Sequence, residues 1–208
     1  HAALTLQALQ AGKHVWCEKP LALDERELRS LARALSSAQC ILTVGFNRRF
    51  APMVQRLRET LVPDEPLRMT YRINAGPLPP KHWLNDPLLG GGRLIGEGCH
   101  FFDLLTCLAG SLPQRVCAEG PGVRGTSAEE DFTVTIAFAN GSVGTIDYIT
   151  TGAIDLGKER LEVSGGGRTA ILDDFRSLQV FGDGGRRTWR DRWSQDKGHQ
   201  AAWSAFAE

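Results

Sequence analysis

Apolar positions in the first sixty residues recur at helical spacing, then in short unbroken runs, then at helical spacing again. Ala3, Leu4, Leu6 and Leu9, closed by Gly12, predict a helix over residues 1–11. His14–Cys17 reads as a short buried strand. Asp24 then caps a second helix, DERELRSLARALSSAQ, with Glu27 at the capping-box position and Leu28, Leu31 and Leu35 on one face. Ile41–Phe46 is a second buried strand. A third helix runs from about Ala51 to Leu61, with Pro52 in its first turn. Helix–strand–helix–strand–helix is the closing half of a parallel, doubly wound sheet. The chain starts at His1 inside one helical pattern and stops at Glu208 inside another, GHQAAWSAFAE. The expectation is a piece of a longer protein, without the opening half of that sheet.

Val62–Pro66 marks a change of pattern. After it come a strand, LRMTYRINAG, and a long loop, GPLPPKHWLNDPLLGGGR, followed by a helix, GEGCHFFDLLTCLAG, ended by Gly110. The strands PQRVCAEG, EDFTVTIAFAN, SVGTIDYITTG, ERLEVSGGG, RTAILDDF and SLQVFGDGG follow. Asn140-Gly141 between two alternating runs is a strong hairpin signal. The fold class is therefore α/β plus α+β. Residues 1–62 form the partial doubly wound unit, and 63–208 form an α+β domain with a large, mostly antiparallel open sheet.

Composition narrows the function without naming it. Of 208 residues, 42% are hydrophobic and 23% charged, with 24 basic and 24 acidic side chains, so nothing advertises a nucleic acid or an anionic membrane. No apolar run reaches membrane-spanning length, and no signal peptide is visible. Five cysteines, an odd number without a CxxC pair, predict a reduced, cytoplasmic protein rather than a disulfide framework or a zinc site.

Three stretches carry candidate chemistry. Gly120–Gly125 matches GxGxxG, but Pro121 lies inside it and the next run, DFTVTIAF, is a strand; a dinucleotide fingerprint must open a helix. It reads as a loop. In GKHVWCEKPLAL, the charged residues Glu18 and Lys19, followed by Pro20, sit at the carboxyl end of an apolar strand, where open α/β sheets place ligands. In GGGRLIGEGCHFFDLL, a helix beginning near Glu97 would put Glu97, His100 and Asp103 on one face. Such a set orients a histidine for proton exchange near neutral pH. A solvated polar face is the alternative. The apolar flank of Cys99, Phe101, Phe102, Leu104 and Leu105 favours a largely buried helix. A metal is not expected, because no second histidine or cysteine pair stands at ligand spacing.

GKHVWCEKPLAL, VGFNRRFAP and GGGRLIGEGCHFFDLL, in that order and at those separations, resemble the glucose–fructose oxidoreductase / inositol dehydrogenase / MocA family. The resemblance covers essentially the whole chain and makes residues 1–62 part of a dinucleotide-binding Rossmann domain. It implies NAD or NADP as cofactor and a polyol or sugar as substrate. It also implies a homo-oligomer formed through the open sheet. The NAGPLPPKHW and GGGRLIGEGCHF segments further resemble members that follow an alcohol-dehydrogenase-like region in a larger polypeptide. By resemblance, Lys19 lies beside the nicotinamide and the substrate hydroxyl, His100 is the acid/base, and Asp103 is a sugar-hydroxyl ligand. Glu18 and Pro20 line the nicotinamide side, with a cis Lys19–Pro20 bond. Asn47 and Arg48 face the same crevice, Asn47 toward the cofactor and Arg48 toward the substrate. Trp83 is placed with the cofactor-facing residues, while its loop, with His82 and Asp86, shapes the substrate side. Many members carry an aspartate four residues before the histidine. Here that position is Gly96, and Glu97, one place on, is the candidate catalytic acid, although one residue turns a helical side chain by about 100°.

The expected activity of the parent protein is hydride transfer between a nicotinamide and a secondary alcohol of a sugar, nucleotide sugar or cyclitol. One alternative uses the same cofactor, recycled, for elimination or glycoside cleavage. The other is a non-catalytic dimerisation or substrate domain. The chain by itself is expected to be inactive.

Overall fold

The computed structural model describes residues 1–79, 81–86, 88–120, 131–191 and 193–208. Its first half opens with α1 (Ala2–Gln10), β1 (Val15–Cys17), α2 (Glu25–Ser37) and β2 (Leu42–Val44). Asp24 caps α2 as its sequence predicts, accepting the Glu27 amide at 2.7 Å, while Glu27 reaches back to the Leu23 amide. β1 and β2 run parallel, with Cys17 opposite Val44. Their carboxyl ends, Glu18 and Gly45, therefore lie side by side. Leu9 of α1 and Leu31 of α2 bury their side chains with Leu6, Val15 and Leu42 in a small core over this pair.

α3 (Pro52–Thr60) leads into the second, larger sheet and packs on it. Its buried residues Met53, Val54 and Leu57 belong to the core of the large sheet. That sheet comprises β3 (Arg68–Asn74), β4 (Pro113–Glu119), β5 (Phe132–Phe138), β6 (Val143–Ile149), β7 (Glu159–Gly165), β8 (Arg168–Asp173), β9 (Ser177–Gly182) and β10 (Gly185–Arg190). The order is β10-β9-β8-β7-β3-β6-β5-β4, and β3–β6 is the parallel pair in an otherwise antiparallel ladder. Alternation decides the faces. Met69, Tyr71 and Ile73 of β3, Val134 and Ile136 of β5 and Leu161 and Val163 of β7 point to the helices. Thr70, Thr133, Thr135 and Glu162 lie on the opposite, uncovered face and are exposed. The Asn140-Gly141 hairpin closes with Gly141 at φ 83° and the Phe138 amide on Ser142 O at 2.9 Å.

α4 (Cys99–Ala109) lies on the covered face. It fully buries Phe101, Leu104 and Leu105, each contributing about 1.5–3 kcal/mol. Gly110, in the left-handed conformation, ends it. Two features depart from the sequence reading. α4 does not start at Glu97: residues Leu94–Gly98 form a π turn and the α-helix proper begins at Cys99. In addition, Gly185–Arg190, for which the sequence reading gave no separate strand, is the edge strand β10. The chain ends in α5 (His199–Ala207), whose Trp203 and Phe206 pack edge-on against Trp16 of β1. Of the GxGxxG loop, residues 121–125 lie outside the described residues.

Candidate active site

The carboxyl end of β1 delivers Lys19 to the seam between the two sheets. Cys17 is the last buried residue of the strand, and the exposed Glu18 side chain lies over Gly45, where a Cβ would stand 3.0 Å from Glu18 Oε1. The Lys19–Pro20 peptide is cis. Lys19 Nζ donates to the carbonyl of Gly96 at 2.8 Å, joining the first half of the chain to the π turn. On the other side, Lys19, Pro20 and Leu21 line a cavity of about 350 Å³ with His1, Trp83 and Leu89. Trp83 is 56% exposed there, with the His82 ring beside its own.

His100 lies one residue into α4 and is 6% exposed. Its ring meets Phe46 edge-on, and its Nδ1 is buried with no hydrogen-bond partner among the described residues. Burial, then the positive charges of Arg48 and Lys19, push its pKa down to about 2, against a smaller opposing pull from Glu159. The imidazole is therefore neutral over the whole working range. Burial also pushes the neighbouring Cys99 thiol up to about 11, so it is not a thiolate nucleophile.

The acids expected on the His100 face are turned elsewhere. The π turn rotates Glu97 away from α4 and toward the sheet. Its carboxylate accepts from Tyr148 Oη on β6 at 2.5 Å, from Lys158 Nζ at 2.5 Å and from Arg93 Nη1 at 3.3 Å. Arg93 also donates to Tyr148 Oη and to Gly76 O. Burial works to raise the Glu97 pKa, but Lys158, Tyr148 and Arg93 outweigh it and hold the carboxyl below its ordinary value. Asp103 pairs with both ends of the Arg49 guanidinium, Nε at 3.0 Å. The expectation that Glu97, His100 and Asp103 form one stripe is thus corrected: one wider turn before α4 takes Glu97 out of it.

Asn47 and Arg48 follow β2 in a 3₁₀ turn, Asn47–Phe50, and their polar groups are engaged within the protein. Asn47 Nδ2 donates to Lys197 O at 2.7 Å. Arg48 forms a bidentate pair with Glu159, both contacts at 2.9 Å, and Glu159 is 1% exposed at its side chain. Lys197 Nζ and Tyr71 Oη bind the same carboxylate. Burial opposes the charge on Glu159, but Arg48 and Lys197 bring its pKa down to about 2. Arg48 lies over the Phe101 ring, and its field reaches His100 next to it.

Lys19 and His100 are thus brought together across the seam, with Gly96 O between their segments. Glu97, Arg48 and Asp103 are nearby but paired. The sequence reading missed Arg49, Arg93, Tyr148, Lys158, Glu159 and Lys197. Their partners are distant in sequence and brought together only by the tertiary fold, and no local signal distinguishes Arg49 from Arg48. Among the described residues no group of three or more His, Cys, Asp or Glu is placed to hold a metal ion, and no helix is long and apolar enough to cross a membrane.

Comparison with known proteins agrees with this architecture. Residues 65–171 match the GFO/IDH/MocA C-terminal domain, and residues 1–46 match the oxidoreductase family, NAD-binding Rossmann fold. Myo-inositol 2-dehydrogenase of Thermotoga maritima is 30% identical over 202 residues, covering 90% of this chain and 59% of the relative. Levoglucosan dehydrogenase of Pseudarthrobacter phenanthrenivorans is 26% identical over 178 residues, covering 71% of this chain and 46% of the relative. The chain thus spans about half the length of these curated relatives. A solved levoglucosan dehydrogenase in complex with NADH and levoglucosan superposes with a TM-score of 0.79 at 23% identity, covering 99% of this chain and 67% of that one, a likeness of fold. The chain belongs to the GFO/IDH/MocA oxidoreductase family, through the closing part of its NAD-binding Rossmann fold and its C-terminal domain.

Proposed function

We propose that the protein works in an NAD(P)-dependent dehydrogenase that oxidises or reduces a secondary alcohol of a sugar or cyclitol. The observation that carries this reading is the meeting of an ammonium and a neutral, buried imidazole at the carboxyl ends of β1 and β2. Lys19 reaches Gly96 O, four residues before His100 on the same segment. The names of the relatives, dehydrogenases of myo-inositol and levoglucosan, support a polyhydroxylated ring as substrate.

The residues present fit the nicotinamide end of the cofactor. The carboxyl ends of two parallel strands make the crevice in which doubly wound sheets take dinucleotides. Lys19, Pro20, His1 and Trp83 line an adjoining cavity. When bound, the nicotinamide supplies or accepts the hydride, and the protein's part is placement and charge. The Lys19 ammonium donates to the substrate oxygen and stabilises the alkoxide as it develops. His100, neutral in its buried place, takes the hydroxyl proton during oxidation and returns it during reduction. Phe46, edge-on to the ring, helps keep bulk water from it.

Lys19→Ala in the intact protein is expected to lower turnover of the alcohol by about 10²–10⁴-fold, the range of a positioned acid–base group, with NAD(P) affinity largely retained. Steady-state kinetics and calorimetry check it. Unchanged turnover removes Lys19, and with it this reading.

A further inference from the structure

Glu97 sits next to the carbonyl that holds Lys19, yet it faces the other way. Its carboxylate is bound by Tyr148 on β6 and by Lys158, one residue before β7. Arg93, bonded to Glu97, is itself anchored to Gly76 O, two residues past β3. One side chain, 15% exposed, thereby ties the π turn to three neighbouring strands of the large sheet. The turn has little other side-chain anchorage. Gly96 and Gly98 carry no side chain, and Leu94 and Ile95 are each 37% exposed. On the opposite side, the backbone packs tightly: a Cβ on Gly96 would overlap Leu84 Cδ1 and lie 2.7 Å from Gly90 O. The peptide between the two surfaces is the one whose carbonyl accepts the Lys19 ammonium at 2.8 Å.

We infer that Glu97 is a positioning residue: its ionised carboxylate, clamped by Lys158, Tyr148 and Arg93, fixes the π turn so that Gly96 O holds the Lys19 ammonium, and Glu97 exchanges no proton with His100. Four physical points support this. Glu97 accepts hydrogen bonds from three donors, which occupy three of the roughly four acceptor positions of a carboxylate. Those donors favour its charged form. His100 Nδ1 has no partner among the described residues, so no Glu97–Nδ1 hydrogen bond exists. A buried carboxylate with matched donors holds backbone in one arrangement, because loosening it leaves an unpaired charge.

The inference rests on the dehydrogenase reading only in giving Lys19 its importance, and the test is independent of catalysis. In the intact protein, each lysine is labelled with a trace of acetic anhydride at fixed pH and quantified by peptide mass spectrometry. A bonded ammonium is protected from acylation. Loss of a hydrogen bond to a charged group corresponds to about tenfold in the protecting equilibrium. Glu97→Gln, whose amide still fills the site but meets Lys158 and Arg93 with N–H or a weaker acceptor, is expected to raise Lys19 labelling about tenfold. Lys13, on the far side of β1, is expected to stay unchanged. Tyr148→Phe and Lys158→Met, each removing one donor from the same carboxylate, are expected to move Lys19 in the same direction by less. They keep the test open if the first variant folds poorly. Lys19 labelling equal to wild type in folded Glu97→Gln overturns the inference. So does a pH–kcat profile in which Glu97→Gln deletes a limb, the mark of a proton-relay group. A normal Lys19→Ala enzyme would instead sink the dehydrogenase reading and leave the labelling result standing.

Discussion

His100 has an imidazole carried into an apolar place beside two cations, and its protonation state follows from that address. In the unfolded chain it takes a proton below about pH 6.5; in the folded protein it does so only near pH 2. Between those values the unfolded state binds more protons, so stability falls as pH falls, by up to about 1.4 kcal/mol per pH unit. Glu159 acts in the same direction but in a lower window: its pKa is depressed from 4.5 to about 2, so its contribution is intact above 4.5 and is lost below it. Between pH 6.5 and 4.5 the two separate. Urea denaturation should show the wild-type protein losing stability across that interval and His100→Leu losing clearly less. Equal losses would mean that His100 titrates normally in the fold. The sequence made His100 a candidate because it stood between Glu97 and Asp103 at three-residue spacing in an apolar stretch. It did not reveal the depressed pKa, because Arg48 and Lys19 reach the ring from segments 52 and 81 residues away in the numbering of the chain.

At the scale of the element, the π turn before α4 is built on glycine contacts that a helical pattern conceals. Gly90 and Gly96 both pack on Leu84, but in different ways. A Cβ on Gly90 would overlap Leu84 Cα and stand 2.7 Å from Leu84 O, so only backbone movement relieves it. A Cβ on Gly96 meets the tip of the Leu84 side chain, which can rotate, and then Gly90 O at 2.7 Å. Each alanine is expected to destabilise by about 1–3 kcal/mol, with Gly90→Ala the worse. Leu84→Ala should rescue part of the Gly96→Ala loss and little of the Gly90→Ala loss. Thermal unfolding of the four variants checks the ranking, and equal rescue of both would show that the turn shifts as a body. β1, α2, the Asn140-Gly141 hairpin and the strands β3 to β9 were legible, because alternation, capping and turn chemistry are local. β10 was not, because GRRTWR carries three arginines and no apolar alternation, as suits an exposed edge. The π turn was not either: the sequence sets Glu97 three residues before His100, and only tertiary partners choose between a helical and a wider turn.

For the whole molecule, the seam between the two sheets is where fold and site become one question. The C-terminal segment crosses it. Lys197 binds Glu159 through its ammonium and Asn47 through its carbonyl. Gly198 turns at φ 83° against Ala51 N, a close approach that a Cβ would block, and Trp203 reaches Trp16. Arg48 spans the seam itself, from the end of β2 to the first residue of β7. This ion pair is almost fully buried, so its two charges stabilise mainly by matching each other. Removing one partner strands the other. Arg48→Met is expected to cost about 3–5 kcal/mol, and Glu159→Gln, which strands both Arg48 and Lys197, at least as much. Arg48→Met combined with Glu159→Gln is expected to lose well under the sum, since the second change removes the stranded charge left by the first. The reach into the site gives a second readout. Arg48 is the largest charge holding the His100 pKa down, so Arg48→Met should raise the pH at which the acid loss of stability attributable to His100 levels off, whereas a purely mechanical seam would leave that point alone. Strict additivity in the cycle, with that levelling-off point unchanged, would mean that seam and site are independent. The network drawn from β2 through Glu159 to Lys197 makes non-additivity the expected result, and makes the seam part of what keeps His100 neutral beside Lys19.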